Sequence, residues 1–299
     1  MLINDTDGSR FYSHSKKLAL IFCLFISAFF AQAQEELESI DIGHAILNLK
    51  VWQSTTANSE PILALPGSGG DDSRYRLIGP LLAQSGFTVY VINQRGIKGS
   101  TGELDDLTLY DYADDVIALA DALQLTKFHM LGWAMGNRTA RAVATKYPER
   151  ISGLALIAAG GLAKPLTEPG ELGSLLGDAS LSLNEKMRLA RRTLFSPASS
   201  ESLVRQYAED LQYWTAARAS QRSANRATPL DGWWAGGEFP MLIVQGVDDK
   251  TAPPENGARM KADFGDRITL VNLTDAGHVM GLEKPHETAT AIATYLRSR

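Results

Sequence analysis

The 299-residue chain has one cysteine, Cys23, so it cannot close a disulfide on itself or build a thiolate metal cluster. Its five histidines are scattered rather than grouped at ligand spacing, so neither a metal site nor another cofactor is expected. Positive charge is not in excess: 29 basic residues face 34 acidic ones, a formal net charge of −5. A phosphate backbone therefore finds no electrostatic footprint at the level of the chain, and nucleic acid is excluded as a partner. No apolar run reaches the roughly 20 residues needed to cross a bilayer. Repeats, low-complexity tracts and the phosphate-binding pattern G-x-x-x-x-G-K-[ST] are also missing. What remains, 44% hydrophobic and 21% charged residues, is ordinary globular composition with enough length for one large domain or two small ones.

The N-terminus reads as a leader. Lys16 and Lys17 precede the apolar run Leu18 to Phe30, which ends in Ala31-Gln32-Ala33, the three-part pattern of a secretory signal peptide. Cleavage after Ala33 is expected to deliver a secreted or periplasmic protein with no remaining membrane segment. Phe22 is too large to precede a lipidated cysteine at Cys23.

Beyond the leader, Ile40 to Ile42 and Ala45 to Trp52 suggest an edge hairpin around Gly43-His44. Short apolar strands then alternate with helical stretches: strands at 62–65, 87–92, 127–131 and 151–158, helices near 75–84, 108–123 and 135–146. Thr108 with Asp111 has capping-box spacing. Residues 162–237 interrupt the alternation with helical runs near Leu183 to Leu194 and Glu201 to Ala217, and read as an inserted helical cap containing Trp214, Trp233 and Trp234. Strand and helix resume at 241–244, 254–264, 268–273 and 287–296. The expected organisation is a signal peptide at 1–33, an α/β core split into 34–161 and 238–299, and the cap at 162–237. Such alternation implies a mostly parallel central sheet with helices on both faces.

In such a sheet ligands bind where strands end. Gly132-Trp133-Ala134-Met135-Gly136 lies between a strand and a helix and matches the nucleophile elbow G-x-S-x-G everywhere except at the nucleophile, where Ala134 stands. Gly246-Val247-Asp248-Asp249 follows a later strand, and Gly277-His278 with Glu283 follows the last one. The chain is similar, through the order of these motifs, to the α/β-hydrolase fold superfamily, and it resembles a bacterial subgroup with G-x-A-x-G-N at the elbow. That resemblance implies Asp249, with Asp248 as its rival, as the acid and His278 as the base it orients. It also implies Pro66-Gly67-Ser68 as the oxyanion loop, with Ser68 and Met135 donating backbone N–H groups. Trp133 and Gly67 are expected at the pocket floor, while Asn137 and Arg138 are equally readable as pocket groups or exposed first-turn residues. His129 reads as a core residue, and His44 and His286 as solvated. The arginine of Asn93-Gln94-Arg95-Gly96 reads as structural.

A methyl group cannot attack a carbonyl, so a covalent serine mechanism is not available to Ala134. Two readings stay open. In one, His278 and Asp249 perform general-base chemistry on a small apolar ester-like or acyl-like molecule without a covalent intermediate. In the other, the protein is a non-catalytic pseudo-hydrolase that binds a small ligand.

Overall fold

A computed structural model describes residues 35–299, all of which fall in one compact unit. The leader read at 1–33 lies outside the described residues. Eight strands, β1 (Glu35–Asp41), β2 (Ile46–Trp52), β3 (Glu60–Leu65), β4 (Phe87–Asn93), β5 (Phe128–Trp133), β6 (Ile151–Ile157), β7 (Met241–Gly246) and β8 (Ile268–Leu273), form one sheet. Their order is β1-β2-β4-β3-β5-β6-β7-β8. The helices are α1 (Ile78–Gln84), α2 (Leu109–Ala122), α3 (Met135–Lys146), α4 (Glu171–Leu175), α5 (Leu183–Thr193), α6 (Glu201–Glu209), α7 (Thr215–Ala227), α8 (Glu255–Phe264), α9 (Met280–Glu283) and α10 (Pro285–Leu296).

The edge hairpin forms as expected: β1 and β2 are antiparallel, with Asp41 opposite Ile46. From β4 through β3, β5, β6 and β7 to β8 every pairing is parallel. These strands are continuously apolar because both sheet faces are covered. Successive side chains of a strand point to opposite faces. In β3, Leu63 and Leu65 join the cluster under α2, α3 and α8, whereas Ile62 and Ala64 join the cluster under α1 and α10. The capping box at α2 is present, Thr108 accepting from the Asp111 amide and Asp111 accepting from that of Thr108.

Between β6 and β7 the chain runs through α4 to α7 without a strand. Leu175, Leu189, Phe195, Val204, Tyr207 and Leu211 form an apolar cluster there, which also takes in Val279 and Leu282 from the segment after β8. The helix expected from Glu201 to Ala217 is two helices: α6 stops at Glu209 and α7 starts at Thr215. Leu211 is buried in the cap cluster and Tyr213 packs against it, so burial of these side chains outweighs continuation of the helix. Trp233 and Trp234 belong to the main core, where the buried Arg141 guanidinium lies 4.6 and 5.0 Å from their ring centroids.

Below the β4 end, Arg95 forms a two-pronged ion pair with Asp115, at 2.6 Å for both Nε and Nη2. His44, expected to be solvated, keeps a half-exposed ring yet reaches Asp115 Oδ1 at 2.7 Å. His129 is a core residue as read, with its Nε2 3.0 Å from Glu60 and its ring edge-on to Phe87. Because Asp115 is buried, removing its guanidinium partner leaves a carboxylate held, among the described residues, by the half-exposed His44 ring alone. Arg95→Ala is expected to cost about 3–5 kcal/mol, measured as a lower urea midpoint at unchanged m.

Candidate active site

The site is built around the turn between β5 and α3. Ala134 sits there at φ 51° and ψ −109°, a conformation that side-chain-bearing residues rarely adopt. Its neighbours explain the glycines. A Cβ at Gly132 would overlap the Asn137 backbone, and one at Gly136 would overlap the Leu65 and Pro66 carbonyl oxygens. The strand, the helix and the end of β3 thus meet at backbone contact, which turns the Ala134 side chain outward at the sheet's carboxyl edge. Asn137 is fully buried, with Nδ2 donating to Ala158 O at 3.0 Å and Oδ1 accepting from Arg141 at 2.7 Å. It anchors α3 to the end of β6 and is not a pocket group.

The loop Pro66-Gly67-Ser68 lies beside this turn. A Cβ on Gly67 would be 3.3 Å from that of Ala134 and 3.0 Å from the Trp133 ring, so only glycine fits without displacement. Met135 is the first residue of α3, where an amide has no partner within its own helix. The Ser68 hydroxyl is buried without a hydrogen-bond partner among the described residues.

His278 and Asp249 meet from separate loops. Nδ1 of His278 is 2.9 Å from Oδ2 and 3.1 Å from Oδ1 of Asp249, and both side chains are almost wholly buried. Asp249 is held by the amides of Thr251 (2.9 Å) and Ala252 (2.7 Å) and by Gln245 Nε2 at 3.3 Å. This geometry separates the two candidate acids, since Asp248 instead accepts from the Ser196 hydroxyl at 2.6 Å. The Trp133 indole N–H donates to the His278 carbonyl at 2.8 Å and its ring lies 5.5 Å from the imidazole. Trp133 therefore braces the histidine from below while lining the pocket.

Gly67, Ser68, Trp133, Ala134, Met135 and His278 all border one cavity of about 900 Å³, and Asp249 stands behind His278. The sequence reading expects a small apolar molecule here. The structure adds six cationic side chains, Arg74, Arg138, Lys164, Arg218, Arg222 and Arg226, against one acidic one, Glu168. Burial pushes the Arg138 guanidinium below its ordinary pKa, and burial followed by the nearby Arg222 charge does the same to Arg218. Spacing within α7 hints at a common face for 218, 222 and 226, but only the docking of that helix shows which face meets the site.

Cap and histidine loop are latched together. The His278 amide donates to Leu194 O at 2.7 Å, and Glu283 accepts from the amides of Ser196 (2.7 Å) and Gly277 (2.8 Å) and from the Ser199 hydroxyl (2.5 Å). Burial raises the Glu283 carboxyl above its ordinary value of 4.5.

Residues 60–194 match the family model described as alpha/beta hydrolase fold. The 2-hydroxy-6-oxo-6-phenylhexa-2,4-dienoate hydrolase of Comamonas testosteroni is 28% identical over 78% of this chain and 85% of its own length. The 2-hydroxymuconate semialdehyde hydrolase of Pseudomonas sp. (strain CF600) is 25% identical over 79% and 86%. Among solved structures, a bacterial membrane phospholipase A superposes with a TM-score of 0.73 at 20% identity, over 95% of this chain and 98% of that one. A meta-cleavage product hydrolase from Pseudomonas fluorescens, in a serine-to-alanine mutant complexed with acetates, superposes with a TM-score of 0.71 at 20% identity, over 90% and 99%. The protein has the α/β-hydrolase fold, with relatives among hydrolases of small molecules.

Two expectations follow from the local energetics. A non-glycine residue held at such a φ costs about 1–3 kcal/mol, so Ala134→Gly is expected to raise stability by about 1 kcal/mol, after the added freedom of the unfolded chain is deducted, in urea unfolding. The folded protein holds the Glu283 proton more tightly than the unfolded chain does. Its contribution to stability therefore falls as pH rises from the ordinary carboxylate value through the raised one. Unfolding of Glu283→Gln beside the parent, from about pH 4 to pH 7, is expected to show the difference shifting in favour of the glutamine variant as pH rises.

Proposed function

We propose that this protein is an exported, secreted or periplasmic, α/β-hydrolase-fold enzyme that acts on a small ester-like or acyl-like carbonyl compound without forming an acyl-enzyme. The observation that carries the reading is the Asp249-bound imidazole of His278, bordering the same cavity as a turn that keeps the elbow conformation although its residue is alanine. With a methyl group at the elbow, the attacking oxygen comes from water. His278 accepts the water proton through Nε2, while its Nδ1–H is held by Asp249, which stabilises the imidazolium as it forms. The amides of Ser68 and Met135 receive the developing oxyanion, and His278 then returns the proton to the leaving group. Catalysis without a serine nucleophile is expected to be modest, about 10³–10⁴ over the reaction in water.

The second reading, a ligand-binding pseudo-hydrolase, is favoured by the Ala134 methyl itself. The two separate on turnover of short-chain and medium-chain esters by parent protein, His278→Ala and Ala134→Ser prepared identically. The catalytic reading expects slow turnover in the parent, lost in His278→Ala and raised in Ala134→Ser. Equal background in the parent and His278→Ala would overturn it for ester hydrolysis. Saturable binding of an unchanged ligand would then support the binding protein.

A further inference from the structure

The six cations around the cavity face a single acidic side chain there, Glu168. No side-chain ion pair or hydrogen bond joins Arg138, Arg218, Arg222 or Arg226 to any partner among the described residues; Arg138 and Arg218 are half-buried and Arg222 and Arg226 exposed, whereas the two fully buried arginines are engaged, Arg95 by Asp115 and Arg141 by carbonyl and amide oxygens. Nε of Arg138 and Nε of Arg218 are buried without a partner, and both residues border the cavity. A buried donor left unmade carries a desolvation cost, most of all on a charged group.

The placement is directional. Arg218, Arg222, Asn225 and Arg226 follow helical spacing along α7 and face the cavity, while Ala217, Ser220, Gln221 and Ala224 on the same helix are buried. Gln221 fixes this rotation by accepting from the Gly69 amide at 2.8 Å and donating to Gln94 at 2.9 Å. Arg218 rests its stem on Gly69, the residue after Ser68: a Cβ on that glycine would lie 2.9 Å from that of Arg218. Arg138 enters from α3, one turn beyond Ala134, with its guanidinium 5.5 Å from the Trp233 ring centroid. Cations from the cap and from the elbow helix thus border the same cavity as the His278 imidazole, in a chain whose overall charge is −5. Such a local reversal of sign concentrates anions at the site.

We propose that Arg138, Arg218 and Arg222 form an oxyanion-binding subsite that selects compounds carrying a carboxylate or phosphate at the end remote from the carbonyl. Guanidinium forks pair such groups through two parallel N–H···O bonds. The subsite determines specificity, and it rests on the reading above that the carbonyl end lies at Ala134 and His278.

The test is calorimetric titration of the mature protein with monomethyl adipate, dimethyl adipate and the methyl ester of a phosphorylated hydroxy acid of the same length. Parent and His278→Ala are compared with Arg218→Gln/Arg222→Gln, whose fold is checked by circular dichroism. One of the two anionic ligands is expected to bind at least about tenfold tighter than the neutral diester, more so at low salt, and the double variant is expected to lose that preference while keeping its affinity for the diester. Which anion wins names the group. A diester that binds as tightly as both anions, absence of anion binding, or undiminished preference in the folded double variant would overturn the subsite. Anion preference retained in His278→Ala without turnover in any form would instead overturn the general-base reading and leave the subsite standing.

Discussion

The backbone between β5 and α3 runs so close to the end of β3 that Gly132 and Gly136 have no room for a side chain. This contact sets the positive φ at Ala134, aims that side chain at the cavity, and brings Gly67 and Ser68 to its flank. Backbone packing, rather than the chemistry of residue 134, maintains the elbow. That is why the turn survives with a methyl group where the fold ordinarily presents a hydroxyl, and why a strained conformation costing on the order of 1–3 kcal/mol persists at a residue with no nucleophilic role.

The acid and base depend on a second layer of contacts. Besides His278, two backbone amides and a glutamine amide hold Asp249, so dipoles in a buried setting fix its orientation. His278 is fixed from three sides, by Asp249 at its ring, Leu194 at its amide and Trp133 at its carbonyl. One of these is a cap residue. Through Leu194 and the Glu283 latch, the segment between α5 and α6 is tied to the loop that carries the base.

Much of this architecture is legible in the sequence because it follows from local patterning. Continuous apolar strands flanked by helices require a parallel sheet covered on both faces, and the capping box at Thr108 and the Met135–Lys146 helix need only neighbouring residues. The spacing of Gly132, Ala134 and Gly136 marks a turn of special geometry, and the order of elbow, acid loop and histidine loop marks the candidate site. Local patterning could not rank Asp248 against Asp249, since two adjacent carboxylates differ only in which loop each one faces once folded. It extended a helix through Leu211, whose burial in the cap cluster breaks it.

The sequence by itself thus determined the fold class, the composition of the candidate constellation and the alanine at the elbow position, because these are written in residue identity, order and period. Only the tertiary structure decided that Asn137 is an anchor, that Trp133 braces His278, and that Glu283 joins cap to core. The same holds for the cations: in a chain of net negative charge, unpaired arginines on α3 and α7 converge only after the cap folds back over the sheet. Residues about 80 positions apart that border one cavity, such as Arg138 and Arg218, share no local signature, since the physical force that brings them there is the burial of the cap's apolar face.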